Sequence, residues 1–120
     1  MANLKRNRLE LVKEVNGEEV VTENYLTPVF IPFGVVYEAM DLKDEIEGLV
    51  KKSDPGTEKE LIDRMILFIT EKIYNNQFTK EELINGLHAP NAMRELQEQV
   101  AFVANGHQSD ATKKFLEKKN

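Results

Sequence analysis

The chain contains no cysteine and only two histidines among its 120 residues. Without cysteine there is no disulfide framework, no thiol nucleophile and no thiolate metal site, an absence that fits a reducing cytoplasm. Long apolar runs are also missing. Runs such as Val29–Ile31 and Met65–Ile69 are far short of what a bilayer requires. The opening Met-Ala-Asn-Leu-Lys-Arg-Asn-Arg continues into polar, alternating sequence without the apolar stretch of a signal peptide. Nor is there an excess of positive charge. A formal net charge of −5 disfavours general nucleic-acid binding, which depends on phosphate neutralisation. The expectation is a soluble, mildly acidic protein with no membrane or nucleic-acid partner, acting inside a cell.

Catalytic motifs are absent too. The sequence has no Walker loop, no Gly-x-Gly-x-x-Gly, no Gly-x-Ser-x-Gly and no His-Glu-x-x-His. His88 and His107 sit beside breaks, do not share a helical face and have no ligand partners nearby, so surface or capping roles are the reading. Asp41, Asp44, Glu45 and Glu47 could be read as a cation site, but acidic side chains on the solvent side of an amphipathic helix explain them. No catalytic residue, metal ligand or cofactor is expected. An enzyme would need a concave site with convergent polar groups, which the sequence does not announce.

What the chain does have is enough apolar content, 41% against 31% charged, for one domain with a modest core. Residues 1–106 are expected to form that domain and 107–120 a polar C-terminal tail, frayed or weakly helical. Leu9 to Val15 alternates loosely and meets Asn16-Gly17, a hairpin signal, with Val20-Val21-Thr22 as the return strand. A two-residue turn at Asn16-Gly17 would oppose Glu14 to Glu19 and Glu10 to Glu23, two like-charge pairs. A four-residue loop from Asn16 to Glu19 instead pairs Val15 with Val20 and Leu9 with Leu26. That register gathers Leu9, Leu11, Val15, Val20 and Leu26 on one face. An extended apolar connector follows from Tyr25 to Gly34, kept out of helix and central strand by Pro28 and Pro32.

Four helical patterns come next. Gly34 to Lys51 carries the stripe Val35, Ala39, Leu42, Ile46, Leu49 and Val50, with Glu38, Asp41, Asp44 and Glu45 opposite. Thr57 with Glu60 forms a capping-box signature for a helix running to about Tyr74, whose broad apolar face marks it as the core helix. Thr79 with Glu82 repeats the signature before a short helix with Leu83, Ile84 and Leu87 inward. Pro90 suits the first turn of a last helix that buries Ala92, Met93, Leu96, Val100 and Val103 and ends near Asn105-Gly106. The fold class is therefore α+β, mainly α: an N-terminal β-hairpin followed by about four helices in a small bundle.

Some apolar residues fall where polar ones belong. On a regular helical wheel Leu67 and Tyr74, seven apart, lie away from the core stripe, and Phe102 sits among Glu95 and Glu98. These three are the candidate subunit contacts. Phe30, Ile31 and Phe33 crowd the connector and are candidates for contact with a partner or an identical subunit. A small fold covering them with its own hairpin or tail is the competing explanation.

The hairpin start, the Tyr25-Leu26-Thr27-Pro28 connector, the acidic helix and above all Asn76-Gln77-Phe78-Thr79-Lys80-Glu81-Glu82-Leu83-Ile84-Asn85-Gly86-Leu87 resemble tail assembly chaperones of long-tailed phages that infect Gram-positive bacteria. In that family a similar Gln-Phe-Thr-x-acid-acid-Leu-x-x-Gly-Leu segment follows the long central helix. The resemblance spans about Leu9 to Val103. It implies a chaperone without catalysis that binds and solubilises the tape measure protein and helps recruit major tail (tube) protein subunits. It further implies assembly into a homo-oligomeric ring or spiral, action in the bacterial host cytoplasm, and absence from the mature virion. The alternative is a small phage-encoded DNA-binding regulator, with Thr79–Leu87 and Asn91–Ala104 as a helix-turn-helix. Its would-be recognition helix offers Arg94 flanked by Glu95 and Glu98, carboxylates that would face phosphate.

Overall fold

A computed structural model of the protein describes residues 4–49 and 55–118. An antiparallel hairpin of β1 (Arg8–Asn16) and β2 (Glu19–Leu26) is followed by five helices among these residues, where about four were expected. They are α1 (Val35–Leu49), α2 (Pro55–Leu67, running on as a π-helical segment, Phe68–Ile73), α3 (Lys80–Gly86), α4 (Ala89–Asn105) and α5 (Asp110–Lys118). The additional element, α5, lies in the stretch expected to be a polar tail.

The hairpin turns on Gly17-Glu18, with Gly17 at φ +64°, a left-handed value that glycine adopts without a Cβ clash. Asn16 pairs Glu19 and Val15 pairs Val20, so the expected register holds near the turn while the loop is two residues rather than four. A bulge between Val12 and Glu14 then shifts the ladder, and Leu9 pairs Tyr25 instead of Leu26. The cause is Lys13, which drops out of the ladder to bond the Glu82 carboxylate of α3 at 2.6 Å and lie over the Tyr25 ring at 5.1 Å. Since a one-residue slip exchanges the two faces, the predicted single apolar face does not exist. Leu9 and Leu11 are buried, whereas Val15 and Val20 stay more than half exposed at the far end. The radius of gyration, 14.8 Å, exceeds the roughly 13.6 Å of a compact chain of this length, as a protruding ribbon requires.

Helix α1 buries Ala39 and Leu42 and half-buries Val35 and Ile46, the expected stripe, against α4 and α2. Its Leu49 lies at the helix end, and Val50 and Lys51 lie outside the described residues. Helix α2 begins at Pro55, so Thr57 stands in its first turn rather than capping it; proline is at home there because its missing N–H would be unpaired anyway. Thr79 does cap α3: its hydroxyl accepts from the Glu82 amide at 3.1 Å, and Glu82 accepts from the Thr79 amide at 3.0 Å. Helix α4 ends on Gly106 at φ +77°, whose amide closes on the Phe102 carbonyl at 2.8 Å.

The core joins Leu9 and Leu11 of the hairpin to Leu61, Met65, Ile69 and Ile73 of α2, Leu83 of α3, and Leu96 and Val100 of α4. Ile84, expected inward, is exposed. One polar cluster crosses this core. Gln99 Oε1 accepts from the Tyr74 hydroxyl at 2.6 Å and Asn7 Nδ2 at 3.2 Å, while its Nε2 donates to the Arg8 carbonyl at 2.9 Å. Asn7 and Thr27 close the base of the hairpin through backbone and hydroxyl bonds. The cluster ties α4, the end of α2 and both strands into one unit.

Candidate interaction surface

Five of the large exposed apolar side chains fall in one short stretch, Val29, Phe30, Phe33, Tyr37 and Met40, and Val15, Val20 and Val21 are exposed toward the hairpin tip. Phe33 is 72% exposed, and its ring meets that of Tyr37 edge-on at 5.6 Å. Carbonyls of Pro32 and Phe33 already accept from Val35 and Val36, so helical rotation begins just before α1. Phe33, Tyr37 and Met40 therefore share the side opposite the buried Ala39 and Leu42. Asp41 and Asp44 continue the same side. Phe30 is likewise exposed, while Ile31 is half-buried against the core, so the connector trio divides two to one.

Leu67 is exposed, 42%, and rims a groove of about 220 Å³ between α1 and α2, floored by Leu42 and Phe68. Glu45 of α1 and Arg64 of α2 form an ion pair between the same helices. Tyr74, however, is fully buried, and the expectation that it shares an outer face with Leu67 is corrected. The reason is the π-helical segment between them. There the Tyr74 amide reaches back five residues to Ile69 at 3.0 Å, and the widened turn rotates the next residues by about one position, roughly 100°. Asn75 and Asn76, at φ +49° and +61°, then end the helix. Burial pushes the Tyr74 hydroxyl far up from its ordinary value.

Phe102 is also buried, correcting its outward placement. Helix α4 is enclosed on more sides than one. Leu96 and Val100 enter the main core, and Gln99, on the side shared with Phe102, bonds the base of the hairpin. The N-terminal segment and the chain beyond α4 are joined by bonds from Lys5 to the Gly106 carbonyl and from Gln108 to the Arg6 carbonyl. Beside them a polar cleft of about 350 Å³ lies between the hairpin base, α4 and α5. Burial, and then the Glu98 carboxylate, raise the Glu95 carboxyl above its ordinary value there. Arg8 spans the cleft edge, with its guanidinium 4.7 Å from the Phe115 ring of α5. His107 lines the same cleft and His88 stands at the exposed start of α4. Among the described residues no three His, Cys, Asp or Glu side chains group as a metal site would require.

The segment Asn76–Leu87 forms the joint between the helices and the hairpin. Phe78 packs on Tyr25 at 4.9 Å and Tyr74 at 5.3 Å, and Leu83 is fully buried. Gly86 comes so close to the hairpin that an added Cβ would stand 2.9 Å from the Leu11 Cβ. Phe78, Glu82 and Gly86 of this segment thus hold the ribbon.

A family model described as phage tail chaperone protein matches residues 6–120. The chain belongs to the phage tail chaperone family. No curated protein and no solved structure matches it. The family is one of chaperones and not of enzymes. No helix among the described residues of this chaperone is long and apolar enough to cross a membrane.

Tyr37 and Met40 were not among the expected contact residues, although both fall at helical spacing opposite the Val35–Ile46 stripe, on the side of the acidic residues. The Asn7–Gln99–Tyr74 cluster leaves no pattern in the sequence, because its members lie far apart in the chain.

Proposed function

We propose that this tail chaperone binds the tape measure protein in the bacterial host cytoplasm, keeps it soluble, and helps recruit major tail protein subunits to it. On this reading it leaves before the virion is complete. The observation that carries the proposal is the exposed apolar group Phe30, Phe33, Tyr37 and Met40, on a chain of this family. A tape measure is a long helical protein whose apolar stripe aggregates when bare. A chaperone for it needs apolar side chains gathered at the surface of an otherwise charged body.

Self-association into a ring or spiral is part of the proposal, because many weak contacts along one client add up through avidity. Leu67, exposed beside the α1–α2 groove, is the subunit contact retained. Tyr74 and Phe102 are withdrawn from that role because both are enclosed by their own chain. Co-expression with the tape measure protein of the same phage, followed by size exclusion with light scattering, tests the proposal. A soluble complex containing several chaperone copies is expected. A strictly monomeric chaperone that leaves the tape measure insoluble would refute it.

A further inference from the structure

The outward side of α1 is divided lengthwise. Phe33, Tyr37 and Met40 occupy its N-terminal part, and Asp41 and Asp44 follow on the same side, with Met40 and Asp44 separated by about 6 Å along the axis. Among the described residues no cation pairs with Glu38, Asp41 or Asp44. An apolar surface thus runs directly into an unneutralised acidic one.

This layout argues against a second copy as the occupant. Two α1 faces laid parallel would set Asp41 and Asp44 against their own counterparts. Laid antiparallel, they would press each carboxylate pair onto the other copy's Phe33 and Tyr37, stripping water from charges with no partner. A helix with the opposite charge arrangement meets neither obstacle. Resting on the tail-chaperone reading, we propose that the outward face of α1 is the client site. Its occupant is an amphipathic helix whose apolar stripe ends, one turn on, in Lys or Arg residues. Apolar side chains of the client cover Phe33, Tyr37 and Met40, and its basic turn lies over Asp41 and Asp44. The charged part sets direction and register along α1; the apolar part supplies most of the affinity.

The test uses the full chain and two synthetic helical peptides with one identical apolar stripe, ending in a lysine turn in one and a glutamate turn in the other. Binding is read by fluorescence anisotropy at low and high salt. The lysine peptide should bind about fivefold tighter or better, with the advantage shrinking as salt rises. Asp41→Lys combined with Asp44→Lys should reverse the preference, and Phe33→Ser combined with Tyr37→Ser should abolish binding of both peptides. All four side chains are exposed, so circular dichroism should stay that of the parent. Equal binding of the two peptides, binding of neither, or a preference unmoved by the charge reversal overturns the inference. Co-expression with the tape measure separates the two levels. A parent protein that solubilises it while the peptide preference is absent leaves the chaperone reading standing and removes only this site.

Discussion

Replacing Gln99 by leucine should be among the most damaging single changes in the molecule, although it exchanges a polar residue for an apolar one of similar size. Gln99 is 3% exposed and makes three bonds, accepting from Tyr74 and Asn7 and donating to the Arg8 carbonyl. Leucine strands all three partners inside the fold. Leaving one buried polar group unpaired costs about 1–3 kcal/mol, and relaxation together with the apolar gain recovers part of the sum, so a net loss of about 3–5 kcal/mol is expected. Against the roughly 5–15 kcal/mol that hold a domain of this size, that is a large share. Urea unfolding followed by circular dichroism gives the value directly. The reasoning makes a second, sharper demand through Tyr74→Phe. Alone it removes one donor and leaves Gln99 Oε1 bonded to Asn7, costing about 1 kcal/mol. On the leucine background it removes a stranded hydroxyl, so the double variant should fall short of additivity by about 1–2 kcal/mol. A loss below about 1 kcal/mol for Gln99→Leu would show that the cluster does not hold the hairpin to α4, and strict additivity with Tyr74→Phe would show that it does not couple α4 to the end of α2.

Two glycines should respond oppositely to alanine. Gly86→Ala forces a Cβ to 2.9 Å from Leu11 and should cost about 1–3 kcal/mol, while Gly48→Ala, in α1 with nothing within 4 Å, should gain about 0.5–1 kcal/mol in the same urea assay. Leu67→Glu should leave the helical circular dichroism and melting temperature of the monomer nearly unchanged while reducing self-association by light scattering; Tyr74→Glu should unfold the chain, since it buries a charge. The two buried or bonded carboxylates predict opposite pH effects. Glu82, lowered chiefly by its bond from Lys13, adds stability that is complete above the ordinary glutamate value and lost as pH falls through the lowered one. Glu95, raised by burial, adds stability complete below the ordinary value and lost as pH rises through the raised one. Thermal melts across the acid range should therefore find Glu82→Gln less stable than the parent at neutral pH with the gap closing in acid, and Glu95→Gln more stable at neutral pH with its gap also closing.

The order of elements was legible in the sequence because local rules determine it. Asn16-Gly17 marks the hairpin, Pro28 and Pro32 break the connector, Thr79 with Glu82 caps α3, and Gly106 stops α4; each acts within a few residues of itself. The family was legible as well, since the Asn76–Leu87 segment is a joint whose residue types are dictated by what they touch: a ring for Tyr25, a carboxylate for Lys13, a bare backbone for Leu11. Which faces are open was decided by the tertiary structure. A wheel assumes constant rotation per residue, and two irregular turns violate that assumption. The Lys13 bulge puts Val15 and Val20 on the face opposite Leu9 and Leu11, at the end of a ribbon that projects beyond the core. The π-helical segment carries Tyr74 inward while Leu67 remains out. Phe102 followed a third route, enclosed because α4 packs on more than one side. Sequence patterns report the side a residue would take on a regular element; a bulge, a wide turn or a second packing neighbour arises from contacts between distant residues, and those exist only once the chain has folded.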